Sequence, residues 1–220
     1  MEKQKQEVTV LHAEDAFAVC VKPVGVASEG ENGMPGLLSR QLGGDFFPVH
    51  RLDQAVGGVM LLARSAEAAA RFSTLIQAGK LRKEYLAVLG GVPQEREGEL
   101  CDLLFHDRAK NKTYVVGRKR AGVKQARLGY TVLDVKENRS LVLVRLYTGR
   151  THQIRAQFAS RGLPLVGDGK YGSRDKAGAP ALWSYRLTVN DRVYEALPEG
   201  EAWEKFSLQD ISGRTGSRTM

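Results

Sequence analysis

The chain has 220 residues, with 33 Lys or Arg against 25 Asp or Glu and a formal charge of +8. Its composition, 42% hydrophobic and 26% charged, is that of a folded globule and excludes a disordered chain, and the length suffices for a core of its own. The longest apolar run, Ala16 to Val21, is too short to span a membrane, and Met1 to Glu7 lacks the apolar stretch of a signal peptide.

Taken in chain order, Val8 to His12 and Phe17 to Lys22 read as two strands joined at Ala13-Glu14-Asp15. A glycine-rich loop, Pro23 to Gly36, leads to a short helix over Leu37 to Leu42, which Gly43-Gly44 stops. Val59 to Ala63 has the pattern of a fully buried strand. Ser65 is placed to cap a helix over Ala66 to Ala78, with Glu67 in its first turn and Gly79 at its end. Further strands are predicted over Lys83 to Leu89, Lys112 to Val116, Gln125 to Val135, Ser140 to Leu146 and Leu182 to Val189. A helix is predicted from Thr151 to Ser160, ended by Gly162. Strands dominate without a βαβ rhythm, which predicts an α+β fold with a mixed, mostly antiparallel sheet. The expected organisation is a lead over 1–7, one domain over 8–211 and a disordered tail over 212–220.

Cys20 and Cys101 are too few for a disulfide framework and lack metal-ligand spacing, so both are expected to stay reduced in a cytoplasmic protein without a metal site. The positive balance favours an anionic partner, of which nucleic acid is the commonest, but charge alone leaves that open.

Three clusters can carry chemistry. His50-Arg51-Leu52-Asp53 sets a carboxylate beside cations just before a buried strand; by itself this is equally an Asx turn with a surface ion pair. It is not a kinase catalytic loop, because Leu52 interrupts His-Arg-Asp and no Asp-Phe-Gly follows. The loop Gly25 to Gly36 likewise lacks the fingerprints of phosphate-binding loops. Thr148-Gly149-Arg150-Thr151-His152-Gln153-Ile154-Arg155 lies where a strand gives way to a helix, so its amides and arginines suit a phosphate or a base edge, or simply a solvated helix start. In Lys83-Glu84-Tyr85-Leu86-Ala87 strand alternation puts Lys83, Tyr85 and Ala87 on one face, where the tyrosine can stack on a base or fill a core.

In this order, and with Leu11 to Asp15, Val21-Lys22-Pro23-Val24-Gly25, Gly162 to Asp168 and Tyr171-Gly172, the sequence resembles the RluA-type pseudouridine synthases over most of its length. The resemblance implies two lobes with a central cleft and a cofactor-free conversion of uridine to pseudouridine by base flipping in structured RNA, ribosomal or transfer. Asp53 matches the catalytic aspartate, Tyr85 the tyrosine against the target base, and Arg155 the basic residue that pairs with the carboxylate. Arg51 matches the residue that fills the space of the flipped base. His50, Arg150, Thr151, His152 and Gln153 are expected at the RNA. No membrane, no obligatory protein partner, a monomer and no S4-like domain before the first strand are expected.

One segment departs from the family pattern. Where Asp-x-x-Thr-Ser-Gly is common, this chain reads Asp53-Gln54-Ala55-Val56-Gly57-Gly58. That departure keeps open a non-catalytic RNA-binding or RNA-folding factor on the same scaffold. A small-molecule glycosidase would need a second carboxylate about 5–10 Å away, and no cluster supplies one.

Overall fold

The computed structural model describes residues 7–175, 177–209 and 211; the expected tail over 212–220 and all of the lead except Glu7 lie outside them. In chain order the strands are β1 (Val10–Ala13), β2 (Phe17–Lys22), β3 (Phe47–Pro48), β4 (Gly57–Ala63), β5 (Leu81–Leu89), β6 (Glu97–Asp107), β7 (Lys112–Val116), β8 (Val123–Lys136), β9 (Arg139–Leu146), β10 (Leu182–Val189) and β11 (Arg192–Glu195). The α-helices are α1 (Met34–Leu42), α2 (Ala66–Gln77), α3 (Gln153–Ala159) and α4 (Glu201–Glu204). The expected α+β class with mostly antiparallel pairing is what forms; β10 meets β4 in parallel through Trp183↔Gly57 and Ser184↔Gly58.

The chain divides into two compact units, Met1–Tyr85 with Trp183–Ala196, and Leu86–Leu182 with Leu197–Met220. In the first, β2 lies antiparallel between β1 and β4, and β11 turns back on β10. Alternation along β2 and β4 sends Val19, Val59 and Leu61 into a core shared with Phe72 and Ala68 of α2. Phe72 meets Phe17 edge to face with ring centroids 5.1 Å apart, and burying one such side chain contributes about 1.5–3 kcal/mol. The Ser65 hydroxyl accepts the Ala68 N–H at 3.0 Å, a cap worth about 1 kcal/mol, so α2 begins where its sequence signal lies. The same alternation leaves Ala18, Cys20 and Lys22 on the other face, beside Leu62, Met60 and Gly58 of β4. Cys20 is buried there, and burial pushes its thiol up to about 12.

In the second unit β9, β8, β6 and β7 follow one another, with β7 at the edge. The β6–β8 ladder runs from Glu97↔Thr131 to Phe105↔Val123, and β6 was not legible as a strand. One face of this ladder carries the buried Leu100, Leu104, Ala126 and Leu128; α3, which contributes Ile154 and Phe158 to the buried set, packs against β6 and β7. α3 starts two residues later than the sequence predicts, because His152 takes a left-handed backbone (φ 52°).

Candidate active site

Asp53 lies between β3 and β4, and the loop that follows β2 fixes its neighbours. The buried Ser28 hydroxyl donates to the Leu52 carbonyl at 2.7 Å and accepts the Leu52 N–H at 2.9 Å. The Gly25 N–H donates to the Gln54 carbonyl at 2.8 Å, and the Gln54 amide donates to the Gly25 carbonyl at 2.9 Å. The Val56 N–H closes a turn on the Asp53 carbonyl at 2.9 Å. The backbone on either side of the carboxylate is thus held by bonds that cost little entropy to keep once the loops have met.

Lys22 lies beneath this turn, fully buried. Its ammonium donates to the carbonyls of Pro23 (2.9 Å), Val26 (2.6 Å) and Gln54 (3.2 Å). An ammonium has three N–H donors, and three carbonyls take them. Burial lowers its pKa to about 8, and the Asp53 carboxylate opposes that shift. The cation therefore stays largely protonated at neutral pH and feels the charge of Asp53. Sequence reading assigned Lys22 no role; the signal was there, because its alternation with Ala18 and Cys20 commits it to a buried face.

Tyr85, 5% exposed, ends the first unit's share of β5. Burial, to which the charge of Asp53 adds, pushes its phenol well above the ordinary range, so it is neutral at physiological pH. Its hydroxyl is hydrogen-bonded to Ser184, and the Ser184 hydroxyl donates onward to the Val59 carbonyl at 2.8 Å. Register places Lys22, Gly58 and Ser184 side by side across β2, β4 and β10 on the face opposite α2. Gly58 has φ 116°, and a Cβ there would come within 2.3 Å of the Ser184 carbonyl oxygen.

The departure at Gly57 has a steric cause in the same place. A Cβ on Gly57 would fall 2.3 Å from the ring of Trp183, whose indole N–H donates to the Ala196 carbonyl at 2.7 Å. Trp183 occupies the space that a serine side chain would need, so the exchange of Ser for Gly belongs with the tryptophan. It does not open the loop.

His50 and Arg51 fare differently. His50 is buried; the Leu61 N–H donates to its Nε2 at 3.2 Å, so Nδ1 carries the proton of the neutral ring and has no partner among the described residues. Burial, with the positive charge of Lys83 adding to it, lowers its pKa to about 3. The imidazole supports β4, whereas the sequence placed it at the RNA. Arg51 is exposed and pairs with Glu29 at 3.0 Å, a contact weak enough to exchange.

In the second unit Arg155 is buried and bound by both oxygens of the buried Asp168, Nε at 2.7 Å and Nη2 at 2.8 Å. Such a fork fixes a guanidinium plane. The Tyr171 ring lies 5.0 Å from the Arg155 guanidinium carbon, and the Tyr171 hydroxyl accepts the Thr113 N–H at 2.8 Å and is hydrogen-bonded to His152 Nδ1 at 3.0 Å. Gln153 is buried too: its side-chain oxygen accepts from Thr148 Oγ1 and the Arg150 N–H, and its amide donates to the Arg127 carbonyl. Three residues expected at the RNA, His50, His152 and Gln153, are thus buried and bonded within the protein. Thr151 is half-buried, its carbonyl accepting from Thr113 Oγ1 at 2.8 Å. Arg150 remains exposed, with Nε on the Gln125 carbonyl.

A carboxylate on a held backbone turn, with a buried ammonium and a neutral buried phenol that both feel its charge, can serve as a nucleophile without a redox step. The model of a family described as RNA pseudouridylate synthase matches residues 16–160. The chain belongs to the RNA pseudouridylate synthase family, and with it to the isomerases. An uncharacterized RNA pseudouridine synthase of Haemophilus influenzae is 31% identical over 170 residues, 76% of this chain and 74% of that protein. Ribosomal large subunit pseudouridine synthase D of Pasteurella multocida is 30% identical over 149 residues, 68% of this chain but 45% of that protein. The fold of human RNA pseudouridylate synthase domain containing 1 superposes with a TM-score of 0.74 at 22% identity, covering 91% of this chain and 86% of that one. Membership of this family disfavours the non-catalytic alternative.

Proposed function

We propose that the chain isomerises uridine to pseudouridine in structured ribosomal or transfer RNA, with Asp53 as its nucleophile. The observation that carries this reading is the fixation of the Asp53 turn by Lys22 and Ser28 next to the neutral phenol of Tyr85. In the reaction the N1–C1′ bond breaks, a C5–C1′ bond forms, the C5 proton is lost and N1 gains one. The atoms balance within the nucleotide, so no co-reactant is required. A carboxylate can attack and leave again, splitting one difficult exchange into two easier steps. Tyr85 meets the flipped base as a neutral aromatic platform. Arg155 is kept as the family's basic residue on the resemblance alone; within its own unit its guanidinium is held by the Asp168 fork. Arg51, held only by an exposed ion pair, is free to enter the stack and offset the few kcal/mol that base extrusion costs. Ribosomal RNA is supported by the name of the Pasteurella relative. The working form in this reading is a monomer in the cytoplasm.

The test is pseudouridine mapping of ribosomal and transfer RNA from cells with and without the gene. At least one site is expected to vanish on deletion and to return with the wild-type gene. An unchanged map in both RNAs would overturn the proposal.

A further inference from the structure

The basic residues of this chain are not evenly spread. From Arg108 to Arg127 there are eight Lys or Arg and no Asp or Glu. Subtracting eight from 33 leaves 25 basic residues against 25 acidic ones, so the remainder of the chain is neutral and this stretch carries the whole +8.

The stretch comprises the edge strand β7, the turns on either side of it and the start of β8. Seven of its eight cations are exposed and Lys112 is half-buried. Arg127 is paired with Glu99 at 2.8 Å; the other seven form no ion pair among the described residues. Concentrated like charge without counter-charges destabilises a fold by self-repulsion and suits an anionic partner.

Register shows which way this surface faces. Phe105 of β6 stands opposite both Tyr114 and Val123, and Arg127 stands opposite Cys101, two alternations along the same face. The other face holds the buried Leu100, Leu104, Ala126 and Leu128. On the open face cations and rings alternate. Lys112 lies 5.7 Å from the Tyr114 ring, Arg120 lies 4.8 Å from Phe105, and Arg127 lies 4.7 Å from Tyr147. Tyr114 and Tyr147 are 37% and 53% exposed. Lys and Arg alone would also protect an edge strand from pairing. Exposed rings interleaved with them add what a nucleic acid uses: cations for phosphates and π-faces for bases.

We infer that the outer face of the β6–β7–β8 arm is an RNA-docking surface that grips the phosphate backbone of the substrate. This rests on the reading of the chain as an RNA-modifying enzyme and adds a binding element outside the catalytic motifs. It also separates two tasks: attraction belongs to an arm that makes no chemistry, and the uridine is chosen elsewhere.

The test compares two variants of the full chain that lose the same charge. R118Q/K119Q/R120Q removes three cations from the arm; R71Q/K80Q/R82Q removes three exposed cations from the first unit. Affinity for a labelled RNA hairpin is measured across a series of KCl concentrations. Each lost phosphate contact lowers the slope of log K against log salt by about 0.7–0.9, so the arm variant should lose about 2–3 and bind about ten- to a hundredfold more weakly near physiological salt. The control should keep the wild-type slope. Equal slopes in the two variants would overturn the inference and make the effect one of net charge. So would an arm variant that aggregates yet keeps its RNA affinity, which is the edge-protection outcome. Binding to phosphatidylserine vesicles but not to the hairpin would overturn it in favour of a membrane surface. Pseudouridine formation is followed in parallel on cellular RNA with wild-type protein. If that fails while the slopes differ, the catalytic reading falls and the docking surface stands.

Discussion

Replacing Lys22 by Met keeps the length of the side chain and removes its charge and three donors. The Val26 carbonyl then loses its partner, and the carbonyls of Pro23 and Gln54, which also accept from the Val26 and Gly25 N–H groups, each lose one of two donors. Three charge-assisted hydrogen bonds lost at about 2 kcal/mol each cost about 6 kcal/mol. Against this, the lysine is itself expensive to bury. Its pKa falls from 10.5 to about 8, which corresponds to about 3 kcal/mol at 1.36 kcal/mol per unit, and Met does not incur that cost. The net expectation is a loss of about 3 kcal/mol, read as a fall in melting temperature of about 6–12 °C for a chain of this size. The pH dependence gives a second signature. Between pH 8 and 10.5 the unfolded lysine binds more protons than the folded one, so in the wild type this group makes stability rise with pH across that window. In K22M that rise is absent. Urea unfolding at pH 7 and pH 10 measures both quantities. A variant as stable as the wild type at pH 7, with the same pH dependence, would refute the argument that the ammonium holds the Asp53 turn.

Three further expectations follow from the same geometry. G57S should destabilise the protein by about 1–3 kcal/mol through overpacking against Trp183, and W183A should relieve much of that in the double variant; strict additivity of the two in urea unfolding would count against the pairing. His50 has a folded pKa of about 3 against 6.5 unfolded, so its contribution is complete above pH 6.5 and is lost as pH falls, at up to about 1.4 kcal/mol per unit; the slope of stability against pH between 6.5 and 5 should flatten by that amount in H50N. Asp168→Asn breaks a buried bidentate pair and should cost about 3–5 kcal/mol in urea unfolding, and a loss under 1 kcal/mol would show that the fork does not hold Arg155.

Much of the architecture is legible where local signals and packing agree. Ser65 and Gly79 bracket α2 as their types predict, the latter with φ 68°, and β2 and β4 are continuous apolar runs between turn residues. β6 escapes because Glu97-Gly98-Glu99 opens it and its outward residues are mixed; its pairing with β8 is a tertiary effect that no local window contains. β11 was legible but unread, since Asn190 and Asp191 both take positive φ in the two-residue turn that such residues favour. At the site the limits are of another kind. Asp53 and Tyr85 are marked by motif, whereas the partners that define their chemistry, Lys22, Ser28 and Ser184, are ordinary residues brought in by sheet register. His50, His152 and Gln153 read as RNA contacts because polar residues beside catalytic motifs usually face substrate. Here groups of the protein itself, the Leu61 N–H for His50, the Tyr171 hydroxyl for His152 and the Arg127 carbonyl for Gln153, claim them first.

The central claim is that the Asp53 carboxylate does the chemistry, and tritium release tests it most directly. Cellular RNA labelled at C5 of uridine is incubated with the wild-type protein and with Asp53→Asn, and binding of both to the same RNA is measured alongside. The account predicts tritium release by the wild type, none by the variant, and similar RNA affinity for the two. Release by Asp53→Asn at the wild-type rate would contradict it.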